Sequence, residues 1–197
     1  MPLATVKTLT TADTAPAIDT IVLAFAADPM TRWTWPDAHQ YLATMPRLAR
    51  AFGGRAFAHG GAFGCADYAA VALWLPPGVH PDEEALNEVV LGTVPASNRA
   101  SAVALFEQMA RYHPSGPHWY LPLIGVDPAH QGQGLGAALM IHALAQADRD
   151  RLPAYLESTN PRNISLYRRH GFEALGRIQV GTSPPLVPML RPARAER

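Results

Sequence analysis

At 197 residues the chain has room for one domain of ordinary size with a sizeable core, and it is read as a single domain over 1–197. Sixteen basic residues balance sixteen acidic ones with no long run of either sign, which argues against electrostatic capture of nucleic acid or an anionic membrane and for a small partner. Cys65 is the only cysteine, so an intrachain disulfide and a multi-cysteine metal site are excluded, and a reducing compartment fits.

The first nine residues hold one lysine and no continuous apolar run, and nothing approaches the length of a membrane span, so a cytoplasmic protein is expected. The eight histidines are scattered without zinc-motif spacing, and no metal is expected.

In chain order, Thr5 to Leu9 alternates as a short strand, and Thr10 to Asp13 supplies capping chemistry for a helix. Ile18, Ile21, Val22 and Phe25 then share one helical face, and Asp28-Pro29 ends that helix. Met30 to Pro36 is expected as a loop, in which Met30, Trp33 and Trp35 either cap a core edge or wall an apolar ligand pocket. Tyr41 to Phe52 reads as a second helix, kinked at Pro46 and stopped by Gly53-Gly54. Ala69 to Leu75 is a strand with an antiparallel partner within Phe57 to Cys65, and two helices follow, one opened by Pro81 to Glu84 and one from about Pro95 to Tyr112.

Toward the C-terminus, Phe172 to Val180 reads as a strand and Leu186 to Leu190 as a last one. Pro188 requires an edge or a bulge there, and the polar tail 191–197 is expected to fray.

Residues 118–172 carry the chemistry. Trp119 to Val126 is an apolar strand interrupted by Pro122 and Gly125, which free backbone groups for an amide-containing ligand arm. Gln131-Gly132-Gln133-Gly134-Leu135-Gly136 follows, and its glycines let several N–H groups converge on one anion at the start of a helix marked by Leu135, Ala138, Leu139 and Ala143. Ala154 to Glu157 is a further strand, and Asn160-Pro161 starts a helix of about ten residues that bears Tyr167 and stops at His170-Gly171.

A nucleotide with a pantetheine arm meets both demands, the phosphate cradle and the interrupted strand. Gly132-x-Gly134-x-x-Ala137 with Glu157 downstream also fits the relaxed dinucleotide fingerprint, but five residues separate strand from first glycine and no repeated strand-helix-strand units precede it. No Gly-Lys-Ser/Thr follows the glycines, which excludes a Walker-type loop.

Gln131, Gly134 and Gly136, with Asn163, Tyr167, Gly171 and Phe172 downstream, resemble the two-part signature of the GNAT superfamily of acetyl-CoA-dependent N-acetyltransferases. Phe25 to Pro29 and residues 118–172 resemble its puromycin N-acetyltransferase-like branch in particular. The resemblance implies an α/β (α+β) fold: a twisted, mixed, mostly antiparallel sheet of six to seven strands with helices on both faces, its fourth and fifth strands splayed. It also implies acetyl-CoA bound by Ile124, Gly125 and Val126, by Gln131, Gly132, Gln133, Gly134, Leu135, Gly136 and Ala137, and by Asn163, with Tyr167 beside the thioester sulfur as general acid.

Glu157 is the carboxylate named as general base. A small, partly apolar primary amine is the expected acceptor, with Phe25, Met30, Trp33, Trp35 and Trp74 as candidate pocket walls. The alternatives are a non-catalytic acyl-CoA sensor and an NAD(P)-binding oxidoreductase; homodimerisation is left open.

Overall fold

A short edge strand, β1 (Val6–Thr8), opens the chain in a computed structural model that describes residues 4–194. Asp13 Oδ2 then accepts from the Thr10 amide at 2.8 Å in a capping box, and helix α1 (Thr14–Phe25) follows. Ile18 and Ile21 lie one turn apart on its buried face against the sheet.

The Asp28-Pro29 pair does more than end α1. Asp28 Oδ1 accepts from the amides of Met30 and Thr31 at 3.0 Å each, and Pro29 occupies the first helical position. The segment expected as a loop is therefore a short helix, α2 (Pro29–Thr34). Helix α3 (Ala38–Gly53) is capped by Asp37, whose side chain accepts from the Gln40 amide at 2.8 Å. Pro46 removes one ladder bond to the carbonyl of Leu42, a residue that faces solvent.

Strands β2 (Ala62–Cys65) and β3 (Ala70–Leu75) form an antiparallel hairpin, followed by helices α4 (Glu83–Thr93) and α5 (Ala96–Tyr112). Strand β4 (Trp119–Val126), helix α6 (Leu135–Asp150), strand β5 (Ala154–Ser158) and helix α7 (Ile164–Arg169) make up the predicted central region. Strands β6 (Glu173–Ala174) and β7 (Val187–Arg191) complete one seven-stranded sheet of order β1-β2-β3-β4-β5-β7-β6. Every neighbouring pair is antiparallel except β4 and β5, which are parallel.

Alternation along the strands divides the core in two. Val71, Leu73, Leu75, Tyr120 and Tyr155 pack with α1 and α3, whereas Ala72, Trp74, Leu121 and Leu156 pack with Leu139, Met140 and Ala143 of α6. Truncating a side chain such as the fully buried Leu73 to alanine costs about 2–5 kcal/mol.

The C-terminal part departs from expectation. The strand read from Phe172 to Val180 is confined to β6 and an isolated bridge between Ile178 and Leu186. At Gly176 the chain passes so close to Tyr112 that a Cβ would lie 2.5 Å from the tyrosine oxygen, and regular pairing stops there. Pro188 sits on an internal strand rather than an edge. Its carbonyl accepts from the Leu175 amide at 2.9 Å, so its missing N–H points to the same side, past the end of two-residue β6, and costs the β5 ladder nothing. Arg191 does not fray: its Nη2 lies 2.7 Å from Asp148 Oδ1 and its Nε donates to the His170 carbonyl at 3.1 Å. Residues 195–197 of the predicted tail lie outside the described residues.

Candidate active site

Strands β4 and β5 pair only from Trp119 opposite Ala154 to Leu121 opposite Leu156. Pro122 follows at once, and on the other edge β3 steps from Leu73 opposite Leu123 to Leu75 opposite Tyr120, so β4 carries one extra residue as a bulge. Past this bulge the β4–β5 ladder ends.

The Asp127 amide donates to the Ala69 carbonyl at 2.8 Å on the β3 side. By alternation the peptide groups of Gly125 also face β3, while those of Ile124 and Val126 face the gap toward β5. Gln131 Nε2 donates to the Val126 carbonyl there at 3.3 Å. Gly125 has a different reason from the one its sequence suggests. Its pairing with Val71 is unbroken, and a Cβ on it would meet Ala24 Cβ at 2.6 Å, so the glycine lets α1 approach the sheet.

The loop after β4 opens with Asp127 Oδ1 accepting from the Ala129 amide at 2.9 Å. Gly132 and Gly134 take φ of 77° and 79°, the left-handed region, and a Cβ at either would meet nothing within 4 Å. The first-turn amides of α6 lie just beyond, without carbonyl partners in their own helix. A Cβ on Gly136 would make only ordinary contact with Leu166 at 3.6 Å, so packing against α7 does not itself require glycine there.

Gap, loop and helices enclose a cavity of about 760 Å³. Every predicted cofactor-side residue except Gln133 lines it, as do Tyr167 and Glu157. Phe25, Met30 and Trp35 line it as well, and the indole of Trp35 is held by a 3.0 Å hydrogen bond from Nε1 to Thr93 Oγ1. Trp33 and Trp74 do not. Trp33 donates to Thr182 Oγ1 at 3.1 Å outside the cavity, and Trp74 is fully buried on the α6 face, where strand alternation carries it away from the acceptor side.

Two carboxylates and one phenol stand out. Asp28 is 5% exposed; its Oδ2 accepts from the Thr159 hydroxyl at 2.7 Å, and burial raises its pKa against the pull of its hydrogen bonds. Tyr167 is 4% exposed, and burial, followed by the nearby Asp28 charge, raises its pKa well above that of free tyrosine. It remains a phenol at neutral pH, with no hydrogen-bond partner among the described residues.

Glu157 lies on β5 two residues after Tyr155, on the same face. Its Oε2 accepts from the Tyr120 hydroxyl at 2.9 Å, and its Oε1 lies 3.3 Å from His113 Nε2 with no well-aligned hydrogen bond. His113 packs edge-on against Tyr120 and tilted against Tyr155, both at 4.5 Å between ring centres. Burial, then the Glu157 charge, raises the pKa of both tyrosines.

Thr159, Tyr120 and His113 are absent from the residues that the sequence singled out, and Asp28 enters there only as a helix stop and as part of the Phe25 to Pro29 stretch. Period-2 spacing could have found one relation, Tyr155 beside Glu157. Asn160 caps the turn before α7, its Oδ1 accepting from the Arg162 amide at 3.1 Å, while Asn163 lines the cavity. Among the described residues no group of three or more His, Cys, Asp or Glu could hold a metal ion, and no helix is long and apolar enough to cross a membrane.

A parallel strand pair parted at a bulge, a left-handed glycine turn at a helix N-terminus, a buried phenol and a carboxylate meet in one cavity of a mixed α/β fold. The profile of the Acetyltransferase (GNAT) family matches residues 67–172, more than half of the chain, and the chain belongs to that family. A crystal structure of histone acetyltransferase HPA2 and related acetyltransferase from Corynebacterium glutamicum superposes with a TM-score of 0.72 at 29% identity, over 99% of both chains. Arylalkylamine N-acetyltransferase 2 from Aedes aegypti shares the fold, with a TM-score of 0.65 at 14% identity over 96% of this chain and 99% of that one.

Among curated proteins, a mycothiol acetyltransferase of Kineococcus radiotolerans is 42% identical over 67 residues, 32% of this chain and 22% of its own length. An uncharacterised N-acetyltransferase of Schizosaccharomyces pombe is 27% identical over 124 residues, 54% of this chain and 48% of its own length. The chain thus spans less than half of either curated relative.

Proposed function

We propose that this acetyltransferase uses acetyl-CoA to acetylate the primary amine of a small, partly apolar molecule, by direct attack while donor and acceptor are bound together. The observation that carries this reading is the single cavity in which the glycine cradle, the parted strands, Tyr167 and Glu157 meet. The cradle fits a pyrophosphate: Gly132 and Gly134 leave open space where side chains would stand, and the α6 N-terminus aims unpaired amides at it. Ile124 and Val126 offer strand-type groups to the amides of a pantetheine arm, with Gln131 releasing the Val126 carbonyl. Asn163 supports that arm from the turn before α7. Acetyl-CoA supplies the acetyl group and a thiolate leaving group.

The chain's own residues manage protons. Tyr167, kept protonated by burial, donates its phenolic hydrogen to the departing sulfur. Glu157 takes a proton from the attacking amine, because a free alkylamine has a pKa of about 10 and must lose that proton to become a nucleophile. Tyr120 orients the carboxylate, and His113, 30% exposed, gives the proton a route to water.

The resemblance to the puromycin N-acetyltransferase-like branch belongs to the same proposal and leaves the acceptor open, since selectivity lies in the helices before β4. Thiol release from acetyl-CoA on mixing with a panel of primary amines tests the reading. Turnover with at least one amine is expected, and acetyl-CoA binding without turnover of any would favour the sensor alternative.

A further inference from the structure

The cavity is divided by charge. Every residue that the chain before β4 contributes to its wall is uncharged except Asp28. The lining cations, Arg162, Arg169 and the ionisable His130, all follow β4 and belong to the glycine-loop and α7 side. The acceptor side is therefore an apolar chamber walled by groups such as Phe52, Leu105, Phe106 and Met109, with no guanidinium or ammonium among them.

Of the two acids, Asp28 is already committed. Both of its oxygens accept hydrogen bonds, one from the Met30 and Thr31 amides and the other from Thr159. Glu157 differs. Tyr120 engages Oε2, whereas buried Oε1 has only the His113 ring nitrogen nearby, at 3.3 Å and without hydrogen-bond alignment. Glu157 is thus the one carboxylate lining the acceptor side with an oxygen that no aligned donor satisfies.

We infer that the acceptor is a hydrophobic monoamine: one ammonium, an apolar body, no carboxylate and no second cation. This rests on the proposed amine acetylation. A carboxylate on the substrate would enter a chamber without a positive partner and beside two acids. A second ammonium would be stripped of water among aromatic and aliphatic side chains with no acid left to pair it.

Two matched pairs of amines test this, each differing by one charge: L-phenylalaninamide against L-phenylalanine, and n-pentylamine against cadaverine. kcat/KM, taken per unprotonated amine so that the weaker basicity of phenylalaninamide does not count, is expected to favour the amine without the extra charge by about 100-fold in each pair, since buried charge without a partner is rejected far more strongly than a change in apolar size. Equal or better turnover of phenylalanine or cadaverine overturns the inference while leaving amine acetylation standing. Absence of thiol release with these four amines and with the whole panel of primary amines, with acetyl-CoA binding intact by calorimetry, removes the acetylation reading itself and the inference with it.

Phe106→Arg gives a second readout, because Phe106 lines the chamber and is 36% exposed, so a guanidinium can be placed there without opening the core. The variant is expected to narrow the phenylalaninamide preference by about tenfold by supplying the missing positive charge. An unchanged ratio in a folded variant counts against the chamber as the seat of the acceptor's body.

Discussion

Thr159 donates its hydroxyl hydrogen to Asp28 Oδ2 at 2.7 Å, joining the N-terminus of α2 to the turn that follows β5. Both segments line the cavity, and Asp28 simultaneously caps α2 through its other oxygen. Asp28→Ala is expected to lose about 1–3 kcal/mol, since it removes a cap and leaves three donors unsatisfied at a buried position.

Asp28 also sets a pH dependence with a definite sign. Burial raises its folded-state pKa above the ordinary 3.8, so the folded state holds that proton more tightly than the unfolded chain does. Its contribution to stability is fully present below 3.8 and is lost as pH rises through the folded value. Asp28→Asn keeps an acceptor for the α2 amides and cannot ionise. The Tm of wild type minus that of Asp28→Asn is therefore expected to fall with rising pH above about 4, and a flat or rising difference would contradict the assignment.

The glycines of β4 and of the loop separate packing from binding. Gly125→Ala places a methyl group 2.6 Å from Ala24 Cβ and is expected to cost about 1–3 kcal/mol by pushing α1 off the sheet. Gly134→Ala meets no neighbour, and its cost is the left-handed φ alone, about 1–2 kcal/mol. CoA affinity is expected to fall further for Gly134→Ala, because the strain is relieved by turning the cradle's amides. Thermal melts and calorimetric CoA titrations of both variants check the contrast.

The parts of this protein written in local chemistry are legible in its sequence. The cradle, the extent of β4 and the start of the turn before α7 follow from glycines, an apolar run and an Asn-Pro cap, each acting within a few residues. The roles of Tyr120 and His113 are not local: Tyr120 reaches Glu157 through the β4–β5 register, and His113 arrives after α5 from a part of the chain with no motif. Trp35 and Trp74 look alike in sequence. All six residues of β3 are buried, so alternation could not say which face Trp74 takes, and only the packing of α6 decides it. Asp28 shows that a helix stop and a helix start can be the same two residues.

Tyr167→Phe removes one oxygen from a ring that packs against Phe172 at 6.2 Å and leaves that contact intact. kcat is expected to drop about 100-fold, the usual worth of a positioned general acid, while acetyl-CoA affinity holds. Because burial and the Asp28 charge raise the phenol's pKa, wild-type kcat is expected to show no loss of the acid up to pH 9 or so. A decline near pH 8 that Tyr167→Phe lacks would mean a different group donates the proton.

Glu157→Gln keeps an oxygen for the Tyr120 hydroxyl but removes the charge and the basicity. If Glu157 takes the proton from the amine, the variant loses about 10²–10⁴-fold in kcat/KM at pH 7, where nearly all of an alkylamine is protonated. The deficit then shrinks as pH approaches 10, because solvent supplies the free amine and the base has less to do. A carboxylate that merely anchors Tyr120 and His113 predicts a deficit independent of pH. The His113→Gln variant sharpens the distinction, since it keeps both the Glu157 carboxylate and the Tyr120 hydroxyl while removing the imidazole 3.3 Å away, together with its packing on Tyr120 and Tyr155. A smaller loss than for Glu157→Gln, recovered by added imidazole, is expected if His113 carries the proton to water.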